Sequence, residues 1–133
     1  MKTCIQTDKA SAAVGPYSQA VTISSPDATA YVSGQIPLDP QTGEMVTGGI
    51  EAQTRQVLEN LKAVVQACGS DLDLVLKVNI YLTDMNHFAV VNAIYGEYFT
   101  DHPPARACVE VTALPKGADV EMEAVAFCPG KDV

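Results

Sequence analysis

Basic residues are scarce in this chain. Its 133 residues include 8 Lys and Arg against 16 Asp and Glu, a formal net charge of -8. Without a basic stripe there are no counterions to release from a phosphate backbone, so nucleic acid is not expected as a partner. Long apolar runs are also missing, and no segment approaches the roughly 20 residues that a membrane-spanning helix needs. The first residues, 1–8, hold no apolar run of the signal-peptide kind, so the chain is expected to be soluble, intracellular and cytoplasmic, with no membrane partner. Histidine is limited to His87 and His102. Neither has a second imidazole or a carboxylate at ligand spacing on its own element, so no metal is expected. The four cysteines, Cys4, Cys68, Cys108 and Cys128, are too far apart for a metal knuckle or a redox turn and read as free thiols. Linkers, repeats and low-complexity tracts are absent. The chain reads as one domain, residues 1–133, long enough to bury roughly two-thirds of its unfolded surface without metal or disulfide staples.

What is present alternates between two periods. A Gly15-Pro16 turn precedes a predicted strand over residues 18–23, the cluster 24–27 reads as a turn, and residues 28–36 make a second strand. From Ile50 to Cys68 the apolar residues Ile50, Val57, Leu58, Leu61, Val64, Val65 and Cys68 recur with Thr54 on one helical stripe, and Gly69 is placed to stop the helix as a left-handed cap. Residues 74–82 alternate as a strand with Leu74, Leu76, Val78, Ile80 and Leu82 on one side. Asp84 then caps a helix in which Phe88, Val91, Asn92, Tyr95 and Phe99 recur at helical spacing. Strands over 105–111 and 119–127 finish the chain, with a short extra strand expected near residues 3–6. This order suits an α+β domain: a single mixed sheet with two helices on one face and the other face uncovered.

The last two strands carry the chemistry. They are expected to pair as a hairpin with Arg106, Cys108, Glu110, Glu121 and Glu123 on the open side, and Ala107, Val109, Val111, Val120, Met122 and Ala124 toward the core. Arginine grips a carboxylate through two parallel hydrogen bonds, and a neighbouring glutamate handles a proton or a water. On alternation alone, a face that is simply solvated is the favoured account of the charges. It also carries Val125 and Phe127, which a second chain would cover better than water does.

Six blocks, in order along the chain, resemble the Rid family of reactive-intermediate deaminases. They are Gly15-Pro16-Tyr17-Ser18-Gln19, Ser33-Gly34-Gln35-Ile36-Pro37, Gln41-Thr42-Gly43-Glu44, Val91-Asn92-Ala93-Ile94-Tyr95, Pro104-Ala105-Arg106-Ala107-Cys108-Val109-Glu110-Val111 and Val120-Glu121-Met122-Glu123-Ala124. The resemblance implies a chorismate-mutase-like fold assembled as a homotrimeric barrel, sheets inward, with three clefts between subunits. It implies hydrolysis of small carboxylate-bearing enamines and imines, such as 2-aminoacrylate, 2-iminopropanoate and 2-iminobutanoate, to 2-keto acids and ammonia. No cofactor is implied.

Carried over by position, the resemblance makes Arg106 the carboxylate-binding residue and puts Tyr17, Ser33, Asn92, Cys108 and Glu121 along the cleft. Glu121 then holds the attacking water together with the backbone carbonyl of Cys108, whose thiol has no histidine to activate it as a nucleophile. Each side chain also has a structural reading. Tyr17 after its Gly-Pro turn could cap a core, Ser33 could satisfy local backbone groups, and Asn92 on an apolar stripe could be a buried amide in a structural network. Glu123 fits an interface or channel acid. Two segments depart from many relatives: 100–104 before Arg106 is shorter, and the turn 24–29 is longer. A non-catalytic trimeric sensor or binding module for small 2-keto acids would use the same Arg106 grip. A nuclease reading is disfavoured by the acidic balance and by the lack of a histidine pair near Arg106.

Overall fold

Residue 26 apart, a computed structural model describes residues 2–129. Six strands form one mixed sheet: β1 (Lys2–Ile5), β2 (Ala20–Ser25), β3 (Asp27–Gln35), β4 (Val75–Leu82), β5 (Ala105–Glu110) and β6 (Val120–Cys128). Their order across the sheet is β1-β2-β3-β6-β4-β5. Two helices, α1 (Gly49–Ala67) and α2 (Phe88–Tyr98), cover one side. Among the described residues no helix is long and apolar enough to cross a membrane.

α1 follows the predicted stripe. Thr54, Val57, Leu58, Leu61, Val64 and Val65 are buried, each large aliphatic side chain contributing about 1.5–3 kcal/mol on burial. Gly69, at φ 84, ends the helix: its N–H donates to the Gln66 carbonyl and the Ser70 N–H to the Val65 carbonyl, the paired closure that a left-handed glycine permits. Asp84 accepts from the Asn86 N–H and so caps the short 3-10 turn, Met85–His87, that leads into α2. A fully buried Asn60, off the predicted stripe, donates to the Ile36 and Leu38 carbonyls. It ties the irregular stretch after β3 to the helix.

Three expectations are corrected. The segment read as a turn over 24–29 is mostly ladder: Ser24 pairs with Ala28 and Ser25 with Asp27, while Pro26 lies outside the described residues. In β4 the register slips between Val75 and Lys77, so Val75 is buried while Leu76 is 52 % exposed. A bulge shifts every side chain on one side of it to the opposite face. Finally, β5 and β6 are not a hairpin. β4 lies between them, parallel to β5 and antiparallel to β6. The parallel step from β4 to β5 is bridged by α2, as a parallel pair requires, and β6 returns to fill the sheet centre between β3 and β4.

Inserting β4 also reverses the predicted faces of β5. Val78, wholly buried, is the register partner of both Arg106 and Ala124, and register partners share a face. Arg106, Cys108 and Glu110 therefore lie on the helix side, and Ala107 and Val109 on the open side, where Val109 is 47 % exposed. β6 follows its predicted alternation, with Val120, Met122, Ala124, Ala126 and Cys128 buried and Glu121, Glu123, Val125 and Phe127 half-buried on the open side.

Candidate active site

The first group of side chains sits where the edge strand β5 meets α2. The Arg106 guanidinium carbon lies 4.9 Å from the Tyr95 ring centroid and 5.6 Å from that of Phe88. Nη1 donates to Asn92 Oδ1 at 2.7 Å. Phe88, Asn92 and Tyr95 fall at i, i+4 and i+7 of one helix, so α2 presents two rings and an amide to the strand. The rings fix the plane of the cation and the amide takes one of its several N–H donors, leaving a flat, exposed guanidinium suited to a carboxylate. Asn92 is exposed, contrary to the buried-amide reading. Below it the Tyr95 hydroxyl is buried with no hydrogen-bond partner among the described residues, and burial pushes this phenol up to about 12 despite the opposing pull of Arg106.

Cys108, two residues along β5, packs against the core. Burial raises its thiol above the usual range, with Arg106 pulling the other way. A protonated, half-buried thiol is a poor nucleophile. Glu110 is spent on structure: its Oε1 accepts from the Met85 N–H at 2.7 Å, fastening the entry to α2.

A second group lies on the open side. Tyr17, Ser33, Gly34 and Glu121 line a cavity of about 310 Å³ together with Val14, Ile36 and Pro115. Tyr17 is 47 % exposed and so caps no core. Its hydroxyl accepts from the Val14 N–H, folding the loop into the cavity wall. The Ser33 hydroxyl donates to the Ser18 carbonyl at 2.5 Å, and the Ser33 N–H donates to Gln19, which fastens the same loop to β3. Burial, then the charge of Glu123, raises the Glu121 carboxyl above the ordinary carboxylate range. The Tyr81 hydroxyl donates to Glu123 Oε1 at 2.5 Å, and that bond first, burial second, pushes Tyr81 up to about 12. A larger cavity of about 670 Å³ adjoins Tyr17, but its polar lining centres on Thr7, Asp8, Ser18, Gln19 and Gln41, with no cation to meet an anionic ligand. Among the described residues no three His, Cys, Asp or Glu side chains converge as a metal ion would require.

Of the residues singled out in the sequence, the structure brings Arg106 together with Asn92 and Cys108, and Tyr17 and Ser33 together with Glu121. It does not join the two groups, because Arg106 and Glu121 project from opposite faces of the sheet. Phe88 and Tyr95, which read as plain core, prove to be the bed of Arg106. Val14 and Pro115 complete the cavity without any signal of their own, and Gly34 and Ile36, which stood in the block 33–37, had no role assigned. The 88/92/95 spacing was the available clue, but it pointed at Arg106 only once α2 was known to cross from β4 to β5.

A family model described as endoribonuclease L-PSP matches residues 7–128. Protein DfrA of Myxococcus xanthus is 53 % identical over 125 residues, covering 94 % of this chain and 95 % of its own. The 2-iminobutanoate/2-iminopropanoate deaminase of Mus musculus is 48 % identical over 126 residues, covering 95 % and 91 %. Among solved structures, RidA from the Antarctic bacterium Psychrobacter sp. PAMC 21119 superposes with a TM-score of 0.88 at 48 % identity, covering 94 % of this chain and 98 % of its own. The chain belongs to the Rid family, the group that the endoribonuclease L-PSP model describes.

Proposed function

We propose that this protein is a hydrolytic deaminase of small 2-imino and 2-enamino acids, turning 2-iminopropanoate (from 2-aminoacrylate) and 2-iminobutanoate into 2-keto acids and ammonia without a cofactor. The observation that carries the reading is the Arg106 guanidinium laid on Tyr95 and Phe88 with Asn92 at one edge. Such a plane recognises a carboxylate by two parallel hydrogen bonds. The name of the mouse relative supports the substrate class. The description that the family model carries names a ribonuclease, but a chain of net charge -8 has little to offer a polyanion.

Because Arg106 and Glu121 occupy opposite faces of one sheet, a working site needs two copies of the chain: the β5 edge of one, with Arg106, Asn92 and Cys108, against the open-face cavity of the next, with Tyr17, Ser33 and Glu121. A homotrimer supplies three such clefts. In each, Arg106 holds the substrate carboxylate, and a water hydrogen-bonded to Glu121 and the Cys108 carbonyl attacks the imine carbon. Glu121 accepts one proton of that water and passes it to nitrogen, giving a carbinolamine, then relays the hydroxyl proton to the amino group, so that the C–N bond breaks to release ammonia as the C=O of the keto acid forms. A carboxyl held above the ordinary carboxylate range by burial serves both transfers.

The test couples the protein to a threonine or serine dehydratase and follows keto-acid release. The expected result is faster release at unchanged amino-acid consumption. Tight binding of an unreactive 2-keto acid with no acceleration for any imine would overturn the catalytic reading in favour of a sensor.

A further inference from the structure

Gly34 stands in strand β3, beside the register shift between Val32 and Gln35. Glycine weakens a strand interior, so its place there calls for a reason. Backbone conformation is not the reason: the positive-φ glycines are Gly43, Gly48, Gly49, Gly69 and Gly117, and Gly34 is not among them. Space is. A Cβ built on Gly34 would stand 2.5 Å from Glu121 Oε1 and 2.9 Å from its Cδ, closer than non-bonded atoms come, and 3.3 Å from its Cγ, a tight contact.

We propose that the bare Cα of Gly34 is the seat of the Glu121 carboxylate, which makes Gly34 a positioning residue for the proton transfers; the inference rests on the role proposed for Glu121. The atoms that a Cβ would strike are the end of a flexible side chain, so a methyl group at residue 34 displaces the carboxylate rather than the strand. For a displaced Glu121 carboxylate the partner across the strand is already taken. Its cross-strand partner Tyr81 already donates to Glu123, and Glu123 repels it. The displaced carboxylate therefore turns to solvent. The titratable groups around it are Glu123 on β6, Tyr81 on β4 and Tyr17 on the cavity wall, with Lys77 four register pairs away along β4.

Wild type, Gly34→Ala, Glu121→Gln and the double variant should be compared in the dehydratase-coupled assay. Gly34→Ala is expected to lower kcat by about 10-fold or more with KM within about 3-fold, and to have less than about a 2-fold further effect in the Glu121→Gln background, because groups that act as a unit are not additive. Turnover by Gly34→Ala within about 2-fold of wild type, or losses that multiply, would overturn the proposal. A carbon-13 titration of the Glu121 carboxyl tests the seat apart from the activity: its midpoint should fall toward the ordinary glutamate range in Gly34→Ala. An unchanged midpoint overturns the seat. If instead the midpoint moves while Glu121→Gln turns over normally, the seat stands and the deaminase role of Glu121 fails. Should Gly34→Ala not fold, Gly34→Ala with Glu121→Ala must fold, since the obstructed side chain is gone; failure of that pair also overturns the proposal.

Discussion

A guanidinium stacked on Tyr95 keeps both its charge and its plane, whereas an ammonium in its place keeps only the charge. Arg106→Lys is therefore expected to abolish imine hydrolysis while leaving the far-ultraviolet circular dichroism and the assembled mass unchanged; a near wild-type rate would make Arg106 structural. Glu121→Gln retains a hydrogen-bonding group but not a base, and kcat should fall by about 10²-fold or more while an unreactive keto acid still binds. Cys108→Ser is the control, expected to keep most activity because only its backbone carbonyl is asked to act; a properly assembled but dead Cys108→Ser would move the chemistry onto sulfur. The raised carboxyl of Glu121 also has a sign in stability. Between the ordinary carboxylate range and its raised value the folded chain holds a proton that the unfolded chain has lost, so stability falls as pH rises through that window. Thermal melts should thus show Glu121→Gln gaining on wild type as pH rises above the ordinary glutamate range, and not near about pH 3, where both states are protonated.

At the scale of elements, the stretch between β3 and α1 matters most. Ile36 lines the Glu121 cavity, and the carbonyls of Ile36 and Leu38 both accept from the buried Asn60 side chain, Ile36 also from the Leu38 N–H, so this amide ties the cavity wall to α1. Asn60→Leu keeps the volume but takes the donor from the Leu38 carbonyl, while the Ile36 carbonyl keeps the Leu38 N–H, so a loss of about 1–3 kcal/mol is expected, the usual cost of one orphaned buried group. Urea denaturation would measure it, and a midpoint equal to wild type would show that the wall is held elsewhere. A second clamp sets the start of β6: Gln53 donates to Asp119 Oδ2 and accepts from the Asp119 N–H, while Thr83 donates to Oδ1. These bonds fix the register that puts Glu121 opposite Tyr81.

For the whole molecule, the open side of the sheet decides. Ile23, Tyr31 and Val109 stand 54 %, 51 % and 47 % exposed there, beside half-buried Val125 and Phe127. Apolar side chains of this size left exposed beside Glu121 and Glu123 suit a contact surface, and the shared site proposed for Arg106 and Glu121 needs one. Light scattering is expected to give about 42 kDa, three times the chain mass of 14.1 kDa. Val109→Asp should bring the mass down to one chain and remove activity together with assembly. A monomer of full activity would overturn both the trimer and the shared site.

The sequence by itself determined the elements. Periodicity set α1, α2 and the alternation of β6, Gly69 and Asp84 marked a helix end and a helix start, and the spacing of motifs identified the family. Those signals are local, carried by residues within a turn or two of each other. Which strands meet is not local. The chain order made residues 105–111 and 119–127 look like a hairpin, yet β4 from 75–82 lies between them. With that one insertion Arg106 passed from the open face to the helix side, where Tyr95, Phe88 and Asn92 receive it, and Glu121 stayed on the other. Tertiary structure alone decided that the two groups cannot meet in one chain, because side chains alternate along a strand and only the pairing partner fixes which face each one takes.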